Sequence, residues 1–435
     1  MNSKIFKKLK DKFFGKKILI AGLGIAGGGA GAVNFLHKLG AKITVTDLKA
    51  RKALEDSLLK IPQNTKLILG KHRLEDFLNA DYIIKNPAMP WSSFYLAEAK
   101  KKNIPILTDA RIFFDFAPRE KIIGITGSKG KTRTAYLIKH FLKGRYKVLL
   151  TGAPGTSVLS DLLKAGGYDW IIWELSSFDL ENIKKSPRIA IITNIFQEHL
   201  NRYSSFADYK NTKKNIIKYQ IKNDISILPD KSIFKKWAKE IDSKVFYFQE
   251  KNIHSLTSET SFFAAKKTAQ VFKIPEKEIL KKFKNSKALE HRLEIARKYK
   301  NIVFINDSAS TNPDATIFAI DKISKFFKIP FFKIILICGG LDKKLDYKEL
   351  SRRFPELKKV ILLPGSASDK IKEETQNKNK NLIEINSLDK AVKESVFWAE
   401  KGDVILFSPG ATSFNLFRNE FDRGDKFKKL VKTIK

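Results

Sequence analysis

The segment IIGITGSKGKT, residues 122–132, decides the fold of this chain of 435 residues. Its apolar first half predicts a buried strand, and residues 134–142 predict a helix. The turn between them contains Gly127 and Gly130, and glycine lets the backbone adopt conformations that other residues avoid. A glycine turn that leads from a strand into a helix directs N–H groups and the positive end of the helix dipole at phosphate oxygens.

Lys131 and Thr132 close this turn and supply the side chains that a nucleoside triphosphate requires. A lysine here places a positive charge beside the β- and γ-phosphates, and a threonine hydroxyl suits Mg²⁺. The strict spacing of a phosphate loop would need a glycine at position 125, where this chain has Ile125. We therefore interpret the segment as a variant phosphate loop that binds a nucleoside triphosphate with Mg²⁺.

The composition indicates a globular protein of about two to four domains. Hydrophobic residues make up 43% of the chain, and we find no run of about 18 uncharged apolar residues that could span a membrane. The basic residues 1–17 lack the apolar core and cleavage site of a signal peptide. The single cysteine, Cys338, cannot form an internal disulfide. Together these features predict a cytoplasmic protein.

The formal net charge of +37 raises the question of nucleic-acid binding. The excess charge is mostly lysine and is spread along the whole chain. The sequence has neither an arginine-rich tail nor the spacing of a zinc knuckle. We expect a monomer with no specific nucleic-acid partner and no membrane insertion, and an anionic substrate suits the charge better.

The N-terminal segment has the pattern of a βαβ unit. Gly22, Gly24 and Gly27 follow an apolar strand and precede a helix, and Asp47 ends the next strand. This is the fingerprint of a dinucleotide site, in which glycines let the backbone approach the phosphates closely. Taken alone it favours NAD, although a nucleotide-sugar could occupy the same crevice.

Two further α/β segments follow. Glu174 lies within a predicted strand region at 171–178, and His199 lies beyond a strand at 189–194, so both are candidate metal ligands near the phosphate loop. In the third segment, strands alternate with helices and end in turns rich in Gly, Ser, Thr and Lys. We predict an α/β fold of three domains: a Rossmann-like domain at 1–118, a P-loop-type ATPase domain at 119–287 and a doubly wound Rossmann-like domain at 288–435.

These motifs together are similar to those of a known family. The chain resembles the Mur ligases, which are ATP-dependent amide-forming enzymes of peptidoglycan synthesis, over essentially its whole length. The resemblance rests on GITGSKGKT at 124–132, ELSSF at 174–178, EHRLE at 290–294, NDS at 306–308 and the segments 194–203 and 408–424. The last motifs are most similar to the branch that adds D-glutamate to UDP-N-acetylmuramoyl-L-alanine through an acyl phosphate.

The resemblance implies a role for individual residues, and it implies that Lys131, His199 and Lys213 are catalytic. The residues for ATP are Gly127, Gly130, Lys131, Thr132, Arg292 and Asp307, and those for Mg²⁺ are Thr132, Glu174, His199 and Lys213. The UDP end of the substrate would contact Gly22, Gly24, Gly27 and Asp47, and D-glutamate would contact Thr311, Lys343, Ser413 and Phe414.

Several positions remain open or depart from the family pattern. The family uses a carbamylated lysine as a metal ligand, and Lys213 fits best, with the adjacent Lys214 as the alternative. Ala309 stands where a lysine is usual, which removes a cation that would face the D-glutamate carboxylate. Pro154 removes an amide expected near the substrate. These departures leave the residues for ATP and Mg²⁺ unchanged, and they leave open which amino acid is added.

Several other functions would also account for part of the sequence. A sister Mur ligase would add a different amino acid. A folylpolyglutamate synthetase shares the ATP chemistry but normally begins near the phosphate loop. From another class, the charge and the departures at Ala309 and Pro154 would suit a nucleic-acid-stimulated NTPase or an inactive binding protein. A dehydrogenase rests on the first glycine fingerprint alone.

Overall fold

The computed structural model describes residues 3–25, 27–152, 157–196, 202–249, 259–286, 289–343, 345–375, 380–413 and 416–434. Within these residues the chain forms three α/β sheets. They divide into two compact units: one comprises residues 1–251 and 259–286 and holds the first two sheets, and the other holds the third. The three sheets follow the three predicted α/β segments.

The first sheet is parallel, with the strand order β3-β2-β1-β4-β5. The central strand β1 is buried along most of its length, which explains its continuous apolar run. The strands are β1 (Lys17–Ala21), β2 (Lys42–Asp47), β3 (Lys66–Leu69), β4 (Tyr82–Lys85) and β5 (Ile106–Leu107). The helices are α1 (Ser3–Phe13), α2 (Gly28–Lys38), α3 (Glu55–Leu58), α4 (Leu74–Leu78), α5 (Phe94–Lys101) and α6 (Asp109–Phe116).

The second sheet is also parallel, with the order β11-β10-β9-β6-β8-β7. Its strands are β6 (Ile122–Thr126), β7 (Val148–Thr151), β8 (Trp170–Glu174), β9 (Ile189–Ile192), β10 (Ile225–Pro229) and β11 (Lys244–Phe248). Its helices are α7 (Lys131–Leu142), α8 (Leu159–Leu162), α9 (Ser177–Leu180), α10 (Phe206–Lys218), α11 (Ser232–Ala238), α12 (Glu259–Val271) and α13 (Glu276–Lys284). Because β6 lies between β8 and β9, the carboxyl ends of these strands meet at one edge.

The third sheet has the order β12-β13-β17-β14-β15-β16 and is parallel except for β12, which is antiparallel to β13. The strands are β12 (Glu294–Tyr299), β13 (Ile302–Asn306), β14 (Ile334–Gly339), β15 (Lys359–Leu363), β16 (Leu382–Glu384) and β17 (Val404–Phe407). The helices are α14 (Pro313–Phe327), α15 (Lys348–Arg353), α16 (Ser366–Glu374), α17 (Leu388–Trp398) and α18 (Glu420–Thr433). The edge strand β12 was not predicted, because its half-exposed polar sequence gives no apolar run.

The first two sheets share one hydrophobic core. Phe113 and Phe114 of α6 each place their rings 4.6 Å from the ring of Trp173 in β8. This packing joins the predicted first and second domains into a single compact unit, because the aromatic side chains bury apolar area that neither sheet covers alone.

The structure also bears on the predicted helix at 134–142, on the single cysteine and on membrane-spanning segments. The helix expected at 134–142 begins earlier, at Lys131, because Gly130 takes the left-handed conformation that ends the loop. Cys338 is buried in β14, and burial raises the pKa of its thiol. In the described part of the chain, no helix has the length and apolarity needed to cross a membrane.

Candidate active site

The phosphate loop is built as the sequence predicts, from β6 through a glycine turn into α7. Gly127 has φ +149° and Gly130 has φ +84°, conformations that favour glycine. A Cβ at Gly127 would lie only 1.9 Å from Oγ1 of Thr193, so no larger residue fits without movement. The loop therefore directs the N-terminus of a helix of 12 residues at one point.

Asn194, which lies after β9, holds the loop through hydrogen bonds to its backbone. Its Oδ1 accepts from the amide of Lys129 at 2.8 Å, and its Nδ2 donates to the carbonyl of Lys129 at 3.1 Å. Its own carbonyl accepts from the amide of Ser128 at 3.1 Å. Asn194 was given no role from the sequence, although its position as the last residue of a predicted strand was the available signal.

Lys131 and Thr132 begin α7 and face different partners. Nζ of Lys131 donates to the carbonyl of Gly127 at 2.9 Å, so the ammonium lies over the loop. Oγ1 of Thr132 donates to Oε1 of Glu174 at 2.9 Å, at the end of β8. The hydroxyl and the carboxylate thus lie side by side next to the loop, and both are oxygen ligands of the kind that Mg²⁺ prefers.

Lys213 reaches the same loop from α10. Its side chain is buried, and Nζ donates to the carbonyl of Gly127 at 3.1 Å. Nζ also lies 3.4 Å from Oγ1 of Thr126 and 4.9 Å from the ring of Tyr209. Lys214 instead forms an ion pair with the exposed carboxylate of Glu240. Only the first of the two lysines that the sequence left open lies at the loop.

A buried carboxylate contributes to the electrostatics of this edge. Asp179 caps α9, because its Oδ2 accepts from the amide of Ser176 at 2.8 Å and from the Ser176 hydroxyl at 2.6 Å. Burial raises the pKa of Asp179, and the positive charges of Lys213 and Lys131 oppose that shift. Lys131 and Lys213 therefore have a favourable Coulombic interaction with the carboxylate of Asp179, although this carboxylate is not part of the loop.

The glycine turn of the first sheet is held by Asp47. Gly22, Gly24 and Gly27 have φ of +104°, +65° and +90°. Oδ2 of Asp47 accepts from the amide of Gly24 at 2.9 Å, and Oδ1 accepts from the amide of Lys49 at 2.9 Å. A Cβ at Gly22 would lie 2.7 Å from Cβ of Asn86. Asp47 thus stabilises the turn itself, in addition to any contact with a ligand.

In the second unit, Asp307 is buried and fully hydrogen-bonded. It accepts from the amide of Leu293 at 3.0 Å and from the hydroxyls of Ser310 at 2.6 Å and Ser408 at 2.7 Å. Burial raises the pKa of Asp307 to about 6, whereas these hydrogen bonds and the positive charge of Arg292 lower it. Arg292 itself is exposed.

A second buried group of this unit is Arg423, which was part of a motif but was given no role. It donates to the hydroxyl of Ser308 at 3.0 Å, to the Ser308 carbonyl at 2.8 Å and to the carbonyl of Ala411 at 3.1 Å. Burial lowers the pKa of Arg423 to about 10. The guanidinium therefore organises the two turns that follow β13 and β17.

Three of the four residues predicted to hold the amino acid are described, and they lie at one edge of the third sheet. Thr311, Lys343 and Ser413 follow β13, β14 and β17, which are neighbours in the sheet. A bridge between Leu341 and Thr412 brings two of the turns together. Within the described residues, the buried hydroxyl of Ser413 has no hydrogen-bond partner. Phe414 and His199 lie outside the described residues, as do Pro154 and Glu198.

In the described ranges, no three His, Cys, Asp or Glu side chains are grouped in a way that could hold a metal ion. At the phosphate loop the described candidate metal ligands are the hydroxyl of Thr132, the carboxylate of Glu174 and, if it is carbamylated, Lys213. This donor set fits a hard cation that takes further oxygens from phosphates.

Three family domains match the chain in order. Residues 16–108 match the MurD-like N-terminal domain of Mur ligases, residues 125–286 the Mur ligase middle domain, and residues 291–410 the glutamate ligase domain of Mur ligases. The chain is 36% identical to UDP-N-acetylmuramoylalanine–D-glutamate ligase of Borreliella afzelii, over 97% of this chain and 98% of the relative. It is 30% identical to the ligase of the same name from Acetivibrio thermocellus, with 100% of both chains covered.

Solved structures share the fold at low sequence identity. MurF from Acinetobacter baumannii superposes with a TM-score of 0.61 at 14% identity, covering 99% of this chain and 98% of that chain. UDP-N-acetylmuramate-alanine ligase from Thermotoga maritima gives a TM-score of 0.59 at 19% identity, covering 97% of this chain and 100% of that chain. These likenesses bear on the fold alone.

The three sheets and the phosphate loop define an α/β protein with a phosphate-loop motif at the carboxyl ends of the strands of its second sheet. The chain belongs to the Mur ligase family, and it is an ATP-dependent ligase. The glycine turn of the first sheet is accordingly part of a Mur ligase N-terminal domain and does not indicate a dehydrogenase.

Proposed function

We propose that this protein adds D-glutamate to UDP-N-acetylmuramoyl-L-alanine at the expense of ATP. The observation that carries the proposal is the convergence of Lys131, Thr132, Glu174 and Lys213 on one phosphate loop. It occurs in a chain that aligns from end to end with relatives named as D-glutamate ligases.

The proposed reaction has two steps. A carboxylate oxygen of the alanyl group attacks the γ-phosphorus of ATP, and the bond to the β,γ-bridging oxygen breaks to release ADP. The amine of D-glutamate then attacks the carbonyl carbon of the acyl phosphate, loses a proton and expels inorganic phosphate, which leaves an amide. Phosphorylation is required because a free carboxylate is a poor electrophile. Lys131 and the loop amides stabilise the transferring phosphoryl group.

Within this proposal, the domain at 119–287 supplies the ATP site. Gly127, Gly130 and Lys131 hold the phosphates, and Lys131, His199 and Lys213 are the catalytic residues. Thr132, Glu174, His199 and Lys213 would hold Mg²⁺, which neutralises the crowded anions when it is bound. We assign the carbamylated lysine to Lys213 and not to Lys214, because Lys213 alone of the two lies at the loop.

The remaining site residues divide between the two substrates and ATP. Gly22, Gly24, Gly27 and Asp47 take the UDP end, and Arg292 and Asp307 contact ATP. Thr311, Lys343, Ser413 and Phe414 take D-glutamate. The hydroxyl of Ser413 supports that assignment, since it is buried and has no hydrogen-bond partner among the described residues. We further propose domains at 1–118, 119–287 and 288–435 and a cytoplasmic monomer without a nucleic-acid partner.

A sister ligase for a different amino acid is the second candidate, and Ala309 favours it. A lysine side chain at this position would add a cation beside the edge that holds Thr311 and Ser413. Without that cation, an amino acid with one carboxylate less is a plausible alternative substrate on electrostatic grounds.

The test is phosphate release with ATP, Mg²⁺ and UDP-N-acetylmuramoyl-L-alanine, with amino acids offered one at a time and products identified by mass. We expect a product that gains one glutamate, with the D-isomer only. Turnover with another amino acid would establish the sister ligase. Absence of turnover with all of them, together with ATP hydrolysis stimulated by nucleic acid, would refute both.

A further inference from the structure

Arg202, in the central domain at 119–287, binds the first domain at 1–118 through the nitrogens of its guanidinium. Its NH2 nitrogen donates to the carbonyl of Pro87 at 2.8 Å and to that of Met89 at 2.9 Å, and its NH1 nitrogen donates to the carbonyl of Ala88 at 3.0 Å. Nε lies 3.6 Å from Oε1 of Glu181. Three consecutive carbonyls are thus bound by one planar group, an arrangement that a lysine cannot reproduce.

Arg202 binds the turn formed by residues 86–90. This turn packs beside the glycine turn of the first sheet, with Asn86 next to Gly22 and Gly24. The amide of Asn86 donates to the carbonyl of Ala21 at 3.0 Å, and the Asn86 carbonyl accepts from the amide of Met89 at 3.1 Å. The side chain of Asn86 fills the space beside Gly22, where a Cβ would come within 2.7 Å of it. Any displacement of residues 86–90 therefore changes the shape of the crevice at Gly22 and Gly24.

The other end of the contact is anchored in the central domain. Glu181 follows α9, which comes shortly after Glu174 at the phosphate loop. Its carboxylate accepts from the hydroxyl of Tyr203 at 3.3 Å and lies 3.7 Å from Nζ of Lys85. Lys85 and Arg202 thus share the carboxylate of Glu181. The side chain of Lys85 is 0% exposed and that of Glu181 is 9% exposed. At such burial the geometry of the charges is strongly constrained, because an unpaired charge would be costly.

We infer that Arg202 is a positioning residue that holds the 86–90 turn, and with it the Gly22–Gly24 crevice, in fixed register with the phosphate loop. The inference rests on the proposed function, which places the UDP end of the substrate in that crevice. Among the described residues, the contacts of Arg202 are with the turn, with Glu181 and with the ring of Phe178. We therefore expect its loss to affect binding of the UDP-substrate and to leave the ATP site intact.

The test compares Arg202→Met and Arg202→Lys with the wild-type enzyme. For each protein we would measure kcat, KM for ATP, KM for UDP-N-acetylmuramoyl-L-alanine, and binding of that substrate by calorimetry without amino acid. The matched control is Arg145→Met, which removes an exposed guanidinium paired with Glu278 in the same unit. Thermal unfolding checks that each variant is folded.

Both Arg202 variants are expected to raise KM for the UDP-substrate and weaken its binding by about tenfold or more, since small misplacements of a binding group have effects of that order. KM for ATP should stay within about twofold, and Arg145→Met should behave as wild type. Unchanged binding of the UDP-substrate in folded Arg202→Met, or an equal rise in KM for ATP, would overturn the inference. Loss of folding in both Arg202 variants would also overturn it, because the residue would then serve stability alone.

The outcome for the proposed function is separate. Wild-type protein that binds the UDP-substrate but adds no D-glutamate would overturn that function, and the binding titration would then decide the role of Arg202. Wild-type protein that binds no UDP-substrate would overturn both.

Discussion

The ammonium of Lys213 lies 3.1 Å from the carbonyl of Gly127, so a buried cation is in direct contact with the backbone of the phosphate loop. A lysine is costly to bury, and it is kept in such a place when a neighbouring group or a reaction requires it. The contact makes Lys213 part of the loop although the two residues are 86 positions apart.

We expect Lys213→Met to reduce ligation by at least about a hundredfold, because it removes the polar end of a side chain at the reacting phosphates. Lys214→Met is the matched control, since its ammonium pairs with exposed Glu240 and such pairs contribute little. Phosphate release under saturating substrates distinguishes the two. Equal losses in the neighbouring variants would contradict the placement of Lys213.

Lys131→Ala should abolish ligation, with a loss of about a thousandfold or more in kcat, because the β/γ-phosphates lose their fixed positive charge. Glu174→Ala should have a similar effect, because it removes the carboxylate that accepts the hydrogen bond of Thr132 and would bind Mg²⁺. Binding of the UDP-substrate, measured by calorimetry, should persist in both variants, because the glycine turn lies on a different sheet. Near-normal turnover of Lys131→Ala would refute the mechanism.

Gly127→Ala should inactivate the enzyme, because the new methyl group would lie 1.9 Å from Oγ1 of Thr193 and the loop would have to move. The control is Gly144→Ala, at a glycine that also has a positive φ, +90°, but has nothing within 4 Å of the added carbon. That change should cost about 1 kcal/mol of backbone strain and leave turnover unchanged. ATP binding and thermal unfolding of both variants provide the comparison.

The carboxyl of Asp109 should make stability fall as the pH rises. Burial raises its pKa to about 7, although it accepts a hydrogen bond from Ser157 at 2.9 Å. The folded state therefore binds this proton more tightly than the unfolded state. The resulting stabilisation is complete below pH 4 and is lost as the pH rises to about 7.

Asp109→Asn should accordingly stabilise the protein by about 1 to 3 kcal/mol at pH 8 and have little effect at pH 4. Urea unfolding at the two pH values measures the difference. Asp115→Asn, on the same helix and in a surface ion pair with Arg111, is the control. A stabilisation by Asp109→Asn of equal size at both pH values would disagree with titration of this carboxyl.

Much of the fold was predictable from local pattern. The strands at Ile122–Thr126, Ile189–Ile192 and Val404–Phe407 lie where continuous apolar runs predict them, because strands inside a parallel sheet are buried on both faces. The edge strand Glu294–Tyr299 was missed for the opposite reason, since its polar and half-exposed residues resemble a loop.

The candidate site was predictable only in part. The residues of the phosphate loop are contiguous, and Glu174 is the last residue of a strand with a clear apolar run. Asn194, Arg202 and Arg423 were recognised within motifs but received no role, because their partners are distant in sequence. Arg202, for example, binds carbonyls 113 to 115 residues away.

The sequence by itself determined the phosphate loop, the three α/β segments and the family, because each depends on residues that are close together in the chain. Only the tertiary structure decided between Lys213 and Lys214. Successive residues of a helix point about 100° apart, so one of these lysines enters the core beneath Gly127 and the other faces Glu240. Which side of α10 packs against the loop is set by long-range packing of the sheet, and no local pattern contains that information.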